Sequence, residues 1–488
     1  MSKGFATAPC GISGLDDVLN GGLTPEELYL IEGVPGSGKT TLGMQFLMEG
    51  ARRGESTMYV SLSETESEIR LIAESHGWNL DGVHLREFTT SAEALAPGEH
   101  YTIFHPAEVE LGTTMSRILG EVEALQPLRV VFDSLSELRL IAGSSLAYRR
   151  QILGLKHHFA KRACTVLLLD DLTSSDHDLQ LQSIAHGVIT LDQLVPTYGS
   201  DRRRLRVTKM RGRHFRGGFH DYVIRRGGLD VFPRLVAAEH RHESRRDRIL
   251  SGIPGLDALM GGGLERGTST LIQGAPGAGK STIAAVFAHA ATRLGEHAAL
   301  FIFDEGENTL LTRMAGIGLD LRESIASGRM SVQQVDPAEL SPGEFAHALR
   351  TAVEVKQAQV IVIDSLNGYL NSMPEERFLV TQLHEILMYL GQMGVATILI
   401  GAQTGLIGSN MQSPVDVSYL ADNVMLMRYY EFQGEVRQAI SVVKQRAGAH
   451  ERTIRDFRIS EAGVGVGEPL RQFRGVLTGV PQRDDSPA

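Results

Sequence analysis

GVPGSGKTT at residues 33–41 and GAPGAGKST at residues 274–282 are two copies of one pattern, and their reading decides the fold. Each fits G-x-x-x-x-G-K-[ST]. In that pattern glycines let the backbone curl until its N–H groups point inward at a phosphate, and the next helix adds its positive N-terminus. One such match arises by chance. Here each copy follows an apolar strand-like run, ELYLIEG (27–33) or STLIQG (269–274), and opens a helical pattern. Phosphate is therefore expected against Gly36, Ser37, Gly38, Lys39, Thr40 and Thr41, and again against Gly277, Ala278, Gly279, Lys280, Ser281 and Thr282. The lysines are expected on the β- and γ-phosphates of ATP, and Thr40 and Ser281 on magnesium.

The duplication extends well beyond these loops. GISGLDDVLNGGL (11–23) returns as GIPGLDALMGGGL (252–264), RVVFDSL (129–135) as VIVIDSL (360–366), and VTKMRGRH (207–214) as VVKQRAGAH (442–450). Lys39 and Lys280 stand 280 − 39 = 241 positions apart, and Gly11 and Gly252 share that offset. Landmarks repeated in one order mean that a whole domain was copied. The expected boundaries are 1–236 for the first domain, 237–247 for a charged linker, 248–468 for the second domain and 469–488 for a C-terminal loop and tail. Within each copy apolar runs such as TMYVSLS, RVVFDSL and CTVLLLD read as strands covered on both faces, alternating with helices. RRLRVTKMR (203–211) and FHDYVIRRGGLDVF (219–232) read as antiparallel strands closing the edge. The class is α/β with mainly parallel central sheets, twice over.

Among 488 residues, 42% are hydrophobic and 22% charged, and the net charge is −10, a balance that argues against a general nucleic-acid or membrane-surface binder. Cys10 and Cys164 lack the spacing of a zinc site or disulfide framework. Without an N-terminal apolar segment or a run long enough to span a bilayer, a reduced, cytoplasmic protein is expected.

Asp133 and Asp364 each end an apolar run, where a carboxylate supporting magnesium belongs. A further carboxylate is needed between loop and aspartate to orient or deprotonate the attacking oxygen. FIFDEGE supplies Asp304 and Glu305 in the second copy, whereas YVSLSETE supplies Ser63 and then Glu64 in the first, so the copies are unequal.

These motifs resemble the KaiC family, ATPases and autokinases of the cyanobacterial circadian clock. The resemblance covers nearly the whole chain, including QFRGVLTGVP (472–481) near its end. It implies two RecA-like domains, a homohexameric double ring with ATP between neighbouring subunits, slow hydrolysis in the first domain and self-phosphorylation in the second. It implies that Lys209, Met210 and Arg211, and likewise Lys444, Gln445 and Arg446, reach the nucleotide of a neighbour, and it places Ser75 at the first nucleotide. SPVDVSYLADNVMLMRYYE (413–431) aligns with the family's phosphosite segment: Ser418 falls on the phosphoserine and Ser413 on a nearby transient acceptor. Tyr419 stands where the family has its phosphothreonine, and Gln438 where it has an arginine near the second nucleotide. A KaiB-like partner is conceivable through the first domain.

Three functions stay open: a KaiC-like ATPase with serine autokinase activity, a nucleotide-gated scaffold that hydrolyses ATP without transferring phosphate, and a RecA-type DNA-dependent ATPase. The arginines at 202–204, 206, 211, 213 and 216 bear on the last, although strand alternation sends half of them to each face. Trp78 reads either as a packing anchor or as an adenine platform.

Overall fold

The computed structural model describes residues 6–88, 106–142, 144–172, 179–240, 247–371, 378–403, 417–446, 448–478 and 482–483. The chain falls into two compact units, Met1–Arg234 and Leu235–Ala488. In the first unit the strands are β1 (Leu28–Gly33), β2 (Thr57–Ser61), β3 (Val83–Glu87), β4 (Arg129–Asp133), β5 (Thr165–Asp171), β6 (Gly187–Leu194), β7 (Arg202–Met210), β8 (His220–Arg225) and β9 (Gly228–Phe232). They form one sheet in the order β3-β2-β4-β5-β1-β6-β7-β8-β9. Pairing is parallel from β3 to β6 and antiparallel from β6 to β9.

In the second unit a short antiparallel pair, β10 (Arg248–Ile249) and β11 (Leu264–Glu265), precedes the main sheet. That sheet comprises β12 (Ser269–Gly274), β13 (His297–Ile302), β14 (Met330–Gln334), β15 (Ala358–Asp364), β16 (Ala396–Ala402), β17 (Asn423–Phe432), β18 (Glu435–Gln445), β19 (Arg455–Ser460) and β20 (Gly463–Pro469). Its order, β14-β13-β15-β16-β12-β17-β18-β19-β20, repeats that of the first unit. The α/β duplication expected from the sequence is the architecture of the chain.

Strand alternation divides each sheet's apolar residues between two cores. Tyr29, Ile31, Val131, Leu167 and Leu169 go to one face with Phe46 of the helix Lys39–Arg52. Leu28, Leu30, Val130, Phe132, Val166 and Leu168 go to the other with Ile152 and Phe159 of the helix Ser145–Ala160. The second unit divides Val360 and Val362 from Ile361 and Ile363 in the same way. Because β1 lies between β5 and β6, and β12 between β16 and β17, both loops leave the middle of a parallel sheet at its carboxyl edge. That edge is where crevices open in such folds.

Leu235, near the end of the expected first domain, and Ala237, in the expected linker, are buried in the second unit, and residues 472–478 of the expected tail bring Val476 into contact with Tyr430 and Ala439. Residues 241–246 lie outside the described segments.

The repeated G-I-x-G-L-D block has a packing reason. Asp16 Oδ1 accepts from the Cys10 N–H at 2.7 Å, and Asp257 Oδ1 from the Ser251 N–H at 2.7 Å. The helices Ser13–Val18 and Pro254–Leu259 then lie directly on the last strands, β9 and β20. A Cβ on Gly14 would stand 1.9 Å from the Val231 carbonyl oxygen, and one on Gly255 2.8 Å from that of Val466. Gly14→Ala should therefore destabilise the first unit by roughly 2–3 kcal/mol, since backbone must shift to admit the methyl. Gly255→Ala should cost the second unit less, and calorimetry of the nucleotide-free chain would rank the two.

Candidate nucleotide site

Both loops have the backbone their glycines permit. Gly36 and Gly38 take φ of 80° and 93°, and Gly277 and Gly279 take 76° and 99°, the left-handed region that a side chain disfavours. Space is equally restrictive: a Cβ on Gly33 would approach the Leu191 carbonyl oxygen to 2.6 Å, and one on Gly274 that of Met427 to 2.6 Å. Gly38 and Gly279 cap the helices Lys39–Arg52 and Lys280–Arg293 without a capping side chain, so the first N–H groups stay open to an anion. Thr41 and Thr282 are buried behind them. Tyr222 OH donates to the Ser37 carbonyl at 2.5 Å, and the Ser37 hydroxyl oxygen is buried without a partner.

Lys39 and Lys280 fold back into their own loops. Lys39 Nζ donates to the Gly33 and Val34 carbonyls at 2.8 and 3.0 Å, and Lys280 Nζ to those of Gly274 and Ala275 at 3.0 and 2.8 Å. Burial pulls the Lys280 ammonium below its usual value, against the opposing charges of Asp364 and Asp304. Thr40 Oγ1 donates to Asp133 Oδ2 at 2.6 Å, and Tyr59 OH to the same oxygen at 2.6 Å. Burial pushes the Asp133 carboxyl up, although Thr40, Tyr59 and Lys39 oppose the shift. The Asp364 carboxyl is pushed up to about 6 by burial, with Glu305 and Asp304 adding to the rise and Ser281 opposing it. A hydroxyl and a carboxylate at the mouth of a phosphate cradle form a hard-oxygen donor set of the kind magnesium takes, so the residues present fit that ion.

Main-chain bonds fix the equivalence of the carboxylates. Leu62 N–H donates to the Asp133 carbonyl at 2.8 Å, and Phe303 N–H to that of Asp364 at 2.6 Å. Ser63 thus corresponds to Asp304 and Glu64 to Glu305. Their surroundings differ. Glu64 is half-buried, its Oε2 has no partner among the described residues, and burial together with Asp133 and Glu68 raises its carboxyl above the ordinary value. Glu305 is held by Arg313 at 2.5 Å, and Asp304 Oδ2 accepts from Ser365 Oγ at 2.5 Å.

Lys209 and Lys444 lie near the ends of β7 and β18, and Arg211 and Arg446 follow one residue past those strands. Lys209 Nζ donates to the carbonyls of Gln182 and Ala185 at 2.5 and 2.8 Å, and Arg211 Nη2 to that of Ser183 at 2.8 Å. Lys444 Nζ donates to the carbonyls of Ser418 and Ala421 at 2.8 and 2.7 Å, and Arg446 Nη2 to that of Tyr419 at 2.8 Å. Met210 packs on the first core, and Gln445 reaches the Met260 carbonyl at 3.4 Å. Ser418 is half-buried and Tyr419 is exposed, while Ser413 lies outside the described residues.

Gln438 Nε2 donates to the Gly277 carbonyl at 3.3 Å. Ser75 Oγ donates to the Ile72 carbonyl at 2.7 Å within its own helix, Glu66–His76. Trp78 stacks on His76 at 4.4 Å and donates to the Gly227 carbonyl at 3.0 Å. Arg204 and Arg206 lie over the Phe219 ring, and Arg213 bonds the Gly22 and Asn20 carbonyls.

Four participants escaped the sequence reading: Tyr59 and Tyr222, which brace the first loop and its aspartate, Asp171, which ion-pairs with Lys39 at 2.7 Å, and Arg313. Tyr59 in the apolar strand YVSLS was the available signal, because a buried phenol needs a polar partner. The other three depend on strand register or on a helix turn.

An aspartate held near neutral in the fold but acidic when unfolded binds its proton more tightly in the native state. For Asp364 that makes the nucleotide-free protein lose stability as pH rises from about 4 to about 6, by roughly 2–3 kcal/mol, and the loss remains above pH 6. Asp364→Asn should remove this slope and raise the unfolding midpoint at pH 7, measured by urea titration across that range.

The KaiC ATPase family model matches residues 8–236 and again 249–471. The circadian clock protein KaiC3 of Synechocystis sp. is 26% identical over 487 residues, covering 98% of this chain and 95% of that protein. The circadian clock oscillator protein KaiC of Parathermosynechococcus lividus is 25% identical, covering 99% and 89%. The circadian clock protein KaiC2 of Synechocystis sp. is 27% identical, covering 98% and 84%. Among the described residues no helix is long and apolar enough to cross a membrane. With a matched domain and a complete phosphate cradle in each half, the chain belongs to the KaiC ATPase family.

Proposed function

We propose that this protein binds Mg-ATP at both loops, hydrolyses it in the first unit and transfers its terminal phosphoryl group to Ser418 in the second. The observation that carries the reading is the pairing of two equivalent cradles with unequal carboxylates. In each unit the loop N–H groups and the helix N-terminus receive the phosphates, and the lysine turns from its carbonyls toward the β- and γ-oxygens. Thr40 and Asp133, or Ser281 and Asp364, would hold magnesium, which would supply charge neutralisation to the phosphates.

In the first unit Glu64 accepts the proton of the attacking water. A carboxylate without a competing cation, and with a raised proton affinity, suits that role. In the second unit the Ser418 hydroxyl takes the place of water, and Glu305 acts as its base once released from Arg313. Lys209 and Arg211, and Lys444 and Arg446, would stabilise charge on the nucleotide of a neighbouring copy in a homohexameric double ring. A clock-like or other signalling role for that ring fits the names its relatives carry.

One set of contacts favours the scaffold alternative: Glu305 paired with Arg313, Asp304 held by Ser365, and a tyrosine at 419. Intact-mass measurement before and after incubation with Mg-ATP, with peptide mapping, separates the readings. One added phosphate on Ser418 supports the autokinase, whereas an unchanged mass with continuing hydrolysis supports the scaffold. Glu64→Gln should lower steady-state hydrolysis by roughly 100-fold or more while leaving any mass shift in place.

A further inference from the structure

Among the described residues the first lysine has a carboxylate partner that the second lacks. Lys39 Nζ lies 2.7 Å from Asp171 Oδ1, with side-chain exposures of 6% and 24%. Asp171 ends β5 and is in register with Gly33, the glycine that opens the loop. The register partner of Gly274 is Ala402, at the end of β16. An ammonium group has three donors. Gly33, Val34 and Asp171 occupy all three in the first unit, whereas among the described residues Lys280 donates only to Gly274 and Ala275. Ser136 Oγ donates to the other Asp171 oxygen at 3.3 Å. In the second unit Asn367, one residue after Leu366 as Ser136 is after Leu135, instead bonds the main chain of Ala402 in both directions, at 3.1 and 2.7 Å. The difference is therefore built into the strand pairing.

We propose that Asp171 is an internal counter-ion of the first loop, which holds Lys39 while no phosphate is bound and which an incoming polyphosphate must displace. The inference rests on nucleotide binding at that loop. A carboxylate and a phosphate oxygen make the same charge-assisted hydrogen bond to an ammonium, so they compete for Lys39. Once displaced, Asp171 remains beside Gly33 on its strand and faces a second anion. The first site consequently binds nucleotide more weakly than the second and discriminates more strongly against ligands with little phosphate charge.

Calorimetric titration of the full chain with Mg and the slowly hydrolysed analogue ATPγS tests this. Asp171→Asn keeps the shape and removes the charge, and it should tighten one of the two sites roughly tenfold, about the contribution of one bond to a charged group. Asp171→Glu should retain the wild-type weakness. Ala402→Asp should weaken the other site by a similar factor, and it decides the matter if Asp171→Asn fails to fold. A merely structural Asp171 would instead lose affinity and stability together on change to Asn. Unaltered affinities in a chain that still binds ATPγS overturn the counter-ion alone. A chain that binds none in any variant overturns nucleotide binding with it.

Discussion

A cation at the carboxyl edge of a parallel sheet is the constraint on which each unit is built. Lys39 and Lys280 are both largely buried, and an ammonium taken from water without acceptors is unfavourable by several kcal/mol. The loop answers by turning two of its own carbonyls onto the nitrogen, which the left-handed glycines allow. The neighbouring strand ends then bring acids close. Asp133 and Asp364 sit one strand beyond the strand next to the loop, tied to it through Thr40 and Ser281. Their raised proton affinity follows from the same burial that shields the lysines. A dry site of this kind magnifies each charge placed in it, which is the condition phosphoryl chemistry exploits.

Duplication preserved this frame and let its occupants diverge. Strand order, the Lys-x-Arg positions and the packing glycines recur, and a cis peptide follows the aspartate in both units. The polar interior does not recur. In the first unit Glu32 accepts from Thr190 and Gln182, and Arg139 pairs with Asp170, whereas Gln273 and Gly401 occupy the corresponding strand positions of the second. Burial pushes the Asp170 carboxyl up to about 6, partly countered by Arg139. The first crevice therefore carries Glu32, Asp170 and Asp171 at strand positions where the second has Gln273, Gly401 and Ala402. The second adds Asp304 where the first has Ser63, beside the carboxylates common to both units.

The fold was legible because its signals are local. Apolar runs such as RVVFDSL and VIVIDSL suit strands covered on both faces, as in a parallel sheet, and each glycine-lysine loop specifies a strand before it and a helix after it. The inequality of Ser63 and Asp304 was legible as well, and equivalent main-chain bonds tie the residues before them, Leu62 and Phe303, to Asp133 and Asp364. Asp171 was not legible, because its meeting with Lys39 depends on the register of β5 against β1 across more than a hundred residues. Arg313 was hidden for a related reason: only the direction of the helix Glu307–Ala315 returns it to Glu305. Ser413 lies outside the described residues, so of the two proposed acceptors only Ser418 has surroundings to compare with its sequence position.

The contact of Gly14 with Val231, repeated as Gly255 with Val466, joins the first helix of each unit to its last antiparallel strands. During synthesis the opening helix of the first unit therefore cannot complete its packing until residue 231 has left the ribosome, and closing so long a loop is slow. The same arrangement gives each unit a seam that its own ends close. A gene segment with that property can be copied in tandem with the seam closing inside each copy. Gly14 and Gly255 are thus as much marks of how the chain could lengthen as of how it packs.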